Sequence, residues 1–121
     1  MKYKSSQEGK IEVKQDYSKR IIFSPQDFIQ PGHQLQIVTI PPGSKQRMHV
    51  HAKQTEVFYI LEGETIININ GIDYLARPGD AFICEPGDKH FLWNKTNKDF
   101  KLVVFKIDKD EASDDTEWIE S

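Results

Sequence analysis

Four residues in this chain have the types and spacing for metal chemistry: His49, His51, Glu56 and His90. His49 and His51 are separated by a single residue. Side chains alternate faces along an extended strand, so both imidazoles point the same way, about 6.6 Å apart. Glu56 follows five residues later with a carboxylate, and His90 is the natural fourth member. Together they make an N/O donor set suited to one divalent ion, with Fe, Mn, Ni, Zn and Cu all admissible. A lone histidine pair on a strand is more often plain core or surface. Here the flanking Gly, Pro and Glu residues favour the metal reading.

Such a group needs rigid strands to hold it, and the chain is rich in strand-like runs. Leu35–Ile40, Glu56–Leu61, Thr65–Ile69, Ile72–Ala76, Ala81–Cys84, Phe91–Trp93 and Phe100–Ile107 are dominated by β-branched and aromatic residues. Upstream, Lys10–Lys14 alternates polar and apolar residues as an edge strand would. Arg20–Phe23 forms a second apolar run, followed by a turn or a short helical turn over Ser24–Phe28. Four of the six prolines are followed directly by glycine, at Pro31, Pro42, Pro78 and Pro86, and each pair reads as a tight turn. Asn70-Gly71 is a strong hairpin signal, because a type I′ turn needs φ > 0 at both central positions. No segment keeps helical periodicity for three turns. The expected fold class is all-β, a sandwich or barrel.

The 121 residues are read as one domain, with a barrel at about 35–107, N-terminal strands and a loop at 1–34, and an acidic tail at 108–121. Net charge is −3, but residues 108–121 hold seven acids and one lysine, which leaves the rest of the chain at +3. The basic residues are scattered and not interleaved with aromatics, so nucleic acid is not an expected partner. No apolar run approaches the roughly 18 residues of a membrane span, and the first ten residues lack the apolar centre of a signal peptide. With Cys84 as the single cysteine, the expected location is cytoplasmic. The tail is expected to be a frayed acidic end, or to be pinned by Trp118 onto the barrel or a second subunit.

The framing residues resemble the cupin superfamily. Its first motif is matched by Gly43, His49, His51, Glu56 and Gly63, and its second by Gly79, Pro86, His90 and Asn94. Glu85 stands where that motif usually has proline, which puts the loop presenting His90 in question or brings a carboxylate near the mouth. The resemblance spans roughly residues 35–107. It implies a small double-stranded β-helix, a jelly-roll barrel, holding one divalent metal in its mouth. It also implies open coordination positions for a small-molecule substrate, and a homodimer paired through the N-terminal strands or the Phe100–Ile107 region.

Within that frame Glu56 is the candidate catalytic base. Asn94 is a candidate partner of His90 or a substrate contact, and Leu92 shares strand parity with both. Phe58 and Ile60 share parity with Glu56 and are read equally as pocket wall or plain core. Arg47 and Met48 stand at the mouth by adjacency to His49. Gln54 and Trp93 are further residues for the opening, while His33 is read as surface and Cys84 as an inert buried thiol. The first functional expectation is a non-haem metalloenzyme of dioxygenase type acting on a small oxygen-bearing organic substrate. The alternatives are a sugar or sugar-phosphate isomerase, for which Lys45, Arg47, Lys53 and Arg77 are the available phosphate-binding cations, and a non-catalytic sensor or binding module.

Overall fold

Strict alternation of buried and half-buried residues runs the full length of Gln34–Ile40, and nearly that of Phe100–Ile107. These are the central strands of the larger sheet, and their period of two is what a half-buried strand requires. The structure, a computed structural model, describes residues 1–110 and 115–119. In chain order the strands are β1 (Lys10–Val13), β2 (Ser18–Phe23), β3 (Gln34–Ile40), β4 (His49–His51), β5 (Thr55–Glu62), β6 (Thr65–Ile69), β7 (Ile72–Ala76), β8 (Ala81–Cys84), β9 (His90–Trp93), β10 (Phe100–Ile107) and β11 (Thr116–Trp118). A single 3-10 turn at Pro25–Asp27 joins β2 to β3. No helix among the described residues is long and apolar enough to cross a membrane.

Two antiparallel sheets build a double-stranded β-helix. One has the order β1-β2-β3-β10-β5-β8 and the other β11-β4-β9-β6-β7. Val38, Ile40, Phe58, Ile60, Phe100, Leu102 and Val104 from the larger sheet pack with Ile67, Ala76 and Leu92 from the smaller. Ile60, Leu102 and Phe100 are almost wholly buried, and each such side chain contributes about 1.5–3 kcal/mol of transfer free energy. The core fills one end of the barrel. The other end keeps polar side chains and opens to solvent.

The turns do what their residues require. Asn70 and Gly71 have φ of 53° and 85°, so the β6–β7 hairpin carries positive φ at both central positions. Between β8 and β9, Gly87 has φ of 87° and its amide donates to the His51 carbonyl at 2.8 Å, which ties the turn to β4. Glu85 is exposed in this turn, and its amide donates to Asp88 Oδ2 at 2.8 Å. A proline there would lack that donor. The Glu85 carboxylate does not border the cavity.

Part of the tail departs from the expectation of a frayed acidic end. Thr116, Glu117 and Trp118 form β11 and pair with β4, Thr116 opposite His51 and Trp118 opposite His49. Three residues are too few for a periodicity to show. They are ordered instead by the backbone groups that β4 leaves unpaired on that side. Glu111, Asp114 and Glu120 of the acidic tail lie outside the described residues.

Candidate metal centre

The site is assembled across both sheets. His49 and His51 come from β4 and His90 from β9, with His49 directly opposite His90 in the register; Glu56 comes from β5 in the other sheet. All four are buried, and one ligand atom from each lies within 4.8 Å of the others. The imidazole centroids stand 4.3 Å (His49–His90), 5.3 Å (His49–His51) and 5.5 Å (His51–His90) apart.

The backbone orients two of the three rings. His49 Nδ1 lies 2.9 Å from the Arg47 carbonyl and His90 Nδ1 lies 2.9 Å from the Asp88 carbonyl. A ring that donates its Nδ1–H to a carbonyl presents Nε2 as its free donor atom, the usual arrangement for a metal-binding imidazole. His51 Nδ1 is 3.4 Å from Thr116 Oγ1 on β11.

Electrostatics separate the members of the group. Burial, followed by the neighbouring His90, lowers the pKa of His49 from 6.5 to about 4, so this ring stays neutral at ordinary pH. Burial also lowers that of His90, but the hydrogen bond and charge of Glu56 at 3.2 Å outweigh it and raise the pKa. Burial opposes the charge of Glu56, yet the close imidazoles of His51 and His90 hold its carboxyl well below the usual range. Cys84, opposite Glu56 in the β5–β8 register, is pushed up to about 12 by burial and by that carboxylate, so it is an inert thiol.

One atom tests whether these residues suit a metal. His51 Nε2 is buried and makes no hydrogen bond of acceptable geometry, although Glu56 Oε1 is only 2.7 Å away. That nitrogen sits among the ligand atoms of the other three residues with no hydrogen bond to the protein. Three imidazoles and a carboxylate so grouped fit a divalent first-row ion.

Around the group lies a cavity of about 240 Å³. Of the candidates read from sequence, Arg47, Phe58 and Leu92 border it, and Ile60, Met48 and Asn94 do not. Ile60 belongs to the core. Met48 uses its carbonyl to accept from the Ile119 amide at 2.9 Å. Asn94 is wholly buried at the far end of β9, bonded to backbone and to Thr96. Gln54 and Trp93 are also off the cavity, the latter with its indole beneath Lys45 and Lys95. His33 is half-buried, stacked on Phe105 and tilted against Phe28 away from the site.

Arg47, placed at the mouth by its adjacency to His49, is held there by two neighbours. Asp16 Oδ2 accepts from both its amide and its Nε, and its guanidinium lies 4.0 Å from the Trp118 ring centroid. Trp118 in turn lies 5.0 Å from the His49 ring, which realises the expectation that this indole pins the tail onto the barrel. Sequence reasoning missed Tyr17, Lys19, Gln36, Gln46, Lys106 and Thr116, all of which border the cavity. For Lys106 a signal was present, since it continues the inward alternation of Phe100, Leu102 and Val104.

Comparison with known proteins agrees with this geometry. A family described as "Cupin domain" matches residues 36–106. The oxalate-binding protein of Thermotoga maritima is 34% identical over 68 residues, 56% of this chain and 56% of that protein. The chain spans about half or less of the length of the curated relatives it matches. Among solved structures, a predicted oxalate decarboxylase from Thermotoga maritima superposes with a TM-score of 0.77 at 25% identity, over 88% of this chain and 98% of the other. KdgF from Halomonas sp. superposes with a TM-score of 0.78 at 16% identity, over 93% and 97%, a likeness of fold alone.

Proposed function

The chain belongs to the cupin family, and from that premise we propose a divalent-metal cupin acting on a small oxygen-bearing organic substrate, with turnover of dioxygenase type as the first reading. The observation that carries it is the convergence of four buried donor atoms within 4.8 Å beside a cavity of about 240 Å³. That volume lies below the roughly 300–1,000 Å³ of drug-sized sites and suits a small metabolite. His49, His51, Glu56 and His90 would hold one ion, Fe, Mn, Ni, Zn or Cu. When bound, it would supply Lewis acidity or redox capacity to a substrate oxygen.

The chain's own residues do the rest. His49 is neutral and ready to ligate, and Glu56 is kept ionised between two imidazoles as the candidate base. Val38, Phe58, Leu92 and Leu102 give the cavity an apolar wall that limits water. The relatives whose descriptions name oxalate support an oxygen-rich acid among the substrates to try. For the isomerase reading, Lys45, Lys53 and Arg77 lie off the cavity; the cations that border it are Arg47 and, unexpected from sequence, Lys14, Lys19 and Lys106.

Elemental analysis of freshly purified protein comes first. Oxygen uptake is then followed with Fe(II), Ni(II) or Mn(II) against enols, diketones and small acids, alongside NMR of sugar phosphates under argon. Uptake that tracks one ion per chain and vanishes in His51→Ala supports the dioxygenase reading. Sugar-phosphate turnover without oxygen moves the assignment to an isomerase, and saturable ligand binding without either reaction moves it to a sensor. A wild type that binds no divalent ion overturns the proposal.

The same reading includes a cytoplasmic homodimer. Its support is the edge strand β1, which pairs only with β2 and exposes Ile11 (63%) and Val13 (79%). The backbone of β10 is already flanked by β3 and β5, so β1 is the better candidate for the contact. Light scattering should give twice 14.0 kDa, and half of that after Ile11→Lys with Val13→Lys. A wild-type mass near 14.0 kDa would sink the dimer.

A further inference from the structure

Strand parity turns Lys106 inward. It follows Phe100, Leu102 and Val104 on the buried face of β10 and is only 6% exposed. Its partner across β5 is Glu56, whose charge it helps to stabilise. That carboxylate is already engaged by His51 at 2.7 Å and His90 at 3.2 Å. Among the described residues, Lys106 Nζ forms neither an ion pair within 4 Å nor a hydrogen bond. A buried ammonium is costly unless something hydrogen-bonds to it.

Two glutamines border the same cavity. The buried Oε1 of Gln46 has no partner, and as an acceptor it suits a ligand O–H or N–H, not a carboxylate oxygen. Gln36 also borders it; its Oε1 accepts from Gln34 at 2.7 Å, which leaves its N–H groups for the cavity. Charge points the same way. Lys14, Lys19, Arg47 and Lys106 border the cavity, and Glu56 is the one acid that does so among the described residues; Lys14 and Lys19 share Glu12 and Arg47 pairs with Asp16, which leaves Lys106 to face an anion. Lys106 further borders an adjoining groove with Lys4, Lys10 and Lys109, where Glu8 and Glu12 are the acids. A recess of this kind concentrates small anions.

We propose that Lys106, with the side-chain N–H groups of Gln36, forms a subsite for one carboxylate of a small diacid or oxo-acid whose other end meets the His49, His51, Glu56 and His90 group. The position of that other end rests on the metal-cupin reading. The subsite itself needs only the groups named here. Lys106 supplies the charge-assisted hydrogen bond and the Gln36 amide fixes the orientation of the carboxylate.

The test titrates the full chain, Zn²⁺-loaded and metal-free in parallel, with succinate and with its monoamide succinamate. Wild type should prefer succinate by about ten-fold, the scale of one hydrogen bond to a charged group. Lys106→Met should erase that preference while Zn²⁺ binds no more weakly, and Lys106→Arg should keep most of it. Gln36→Leu, with an unchanged melting temperature, should weaken succinate about three-fold. A preference that survives Lys106→Met overturns the subsite, as does a wild type that binds neither acid. If wild type fails to bind Zn²⁺, the metal reading falls, and the metal-free titration still decides the subsite.

Discussion

His90 opens β9 and Asn94 lies just beyond its last residue, Trp93, and both are fully buried polar side chains. Their surroundings are opposite. Asn94 donates to the Ile40 carbonyl at 2.9 Å and the Lys98 carbonyl at 2.7 Å, and its Oδ1 accepts from the amide and hydroxyl of Thr96 at 3.0 and 2.7 Å. Each of those bonds ends on the protein. At the other end three imidazoles converge on a point with no protein donor, and His51 Nε2 is left unbonded beside Glu56. A buried polar group whose bonds all close on the protein is holding the fold together. One whose bonding stays open is waiting for a ligand.

The largest effect expected from breaking this contrast is at the open end. A four-ligand site is worth roughly 10–16 kcal/mol, on the order of 3 kcal/mol per ligand. His49→Ala with His51→Ala should therefore cut metal affinity by about 10⁴-fold and leave the metal-free fold nearly as stable. Competitive chelator titration with thermal melts reads both. Equal metal retention in the double variant and wild type would falsify the site.

At the closed end the outcome reverses. Asn94→Ala strips partners from the Ile40 and Lys98 carbonyls and the Thr96 amide, at about 1 kcal/mol each or about 3 kcal/mol in all. Urea unfolding should record that loss, with unchanged metal stoichiometry per folded chain. If metal is lost while stability holds, Asn94 belongs to the site after all.

Acid sharpens the comparison at a similar scale. In the metal-free chain His49 titrates near 4 when folded and near 6.5 when unfolded, so between those values the folded state holds fewer protons. Its contribution is full above about 6.5 and is lost as pH falls through about 4, a change of about 3 kcal/mol. His90 is raised and works the other way, its contribution present below 6.5 and lost as pH climbs through its folded value. Subtracting His49→Asn from wild type isolates the first effect. The difference in unfolding free energy should drift toward the variant by about 3 kcal/mol from pH 7 to 4, and a flat difference contradicts a buried neutral ring.

The smallest effect belongs to the cover of the site. Trp118→Ala removes the indole between Arg47 and His49, worth about 1 kcal/mol. Melting should drop by a few degrees, with metal affinity changed less than about ten-fold. A complete loss of metal would make β11 part of the ligand cage, where the present geometry makes it a wall.

Much of this was legible before any coordinates. A period of two placed the alternating runs of β3 and β10, and Asn70-Gly71 and the Pro-Gly pairs marked turns, because φ preferences are local properties of the residues concerned. Spacing also identified His49, His51, Glu56 and His90, since i and i+2 on a strand must share a face. Parity further sent Lys106 inward, although nothing local said what it would meet. Other features depended on chain pairing over long separations. Asn94 and His90 both face the interior by parity, and only the fold set Asn94 against the Ile40 and Lys98 carbonyls and His90 against Glu56 of the other sheet. Three residues of an acidic tail became a strand because β4 had backbone groups to pair. Local sequence sets which way a side chain points, and the tertiary structure decides whether a partner is already there.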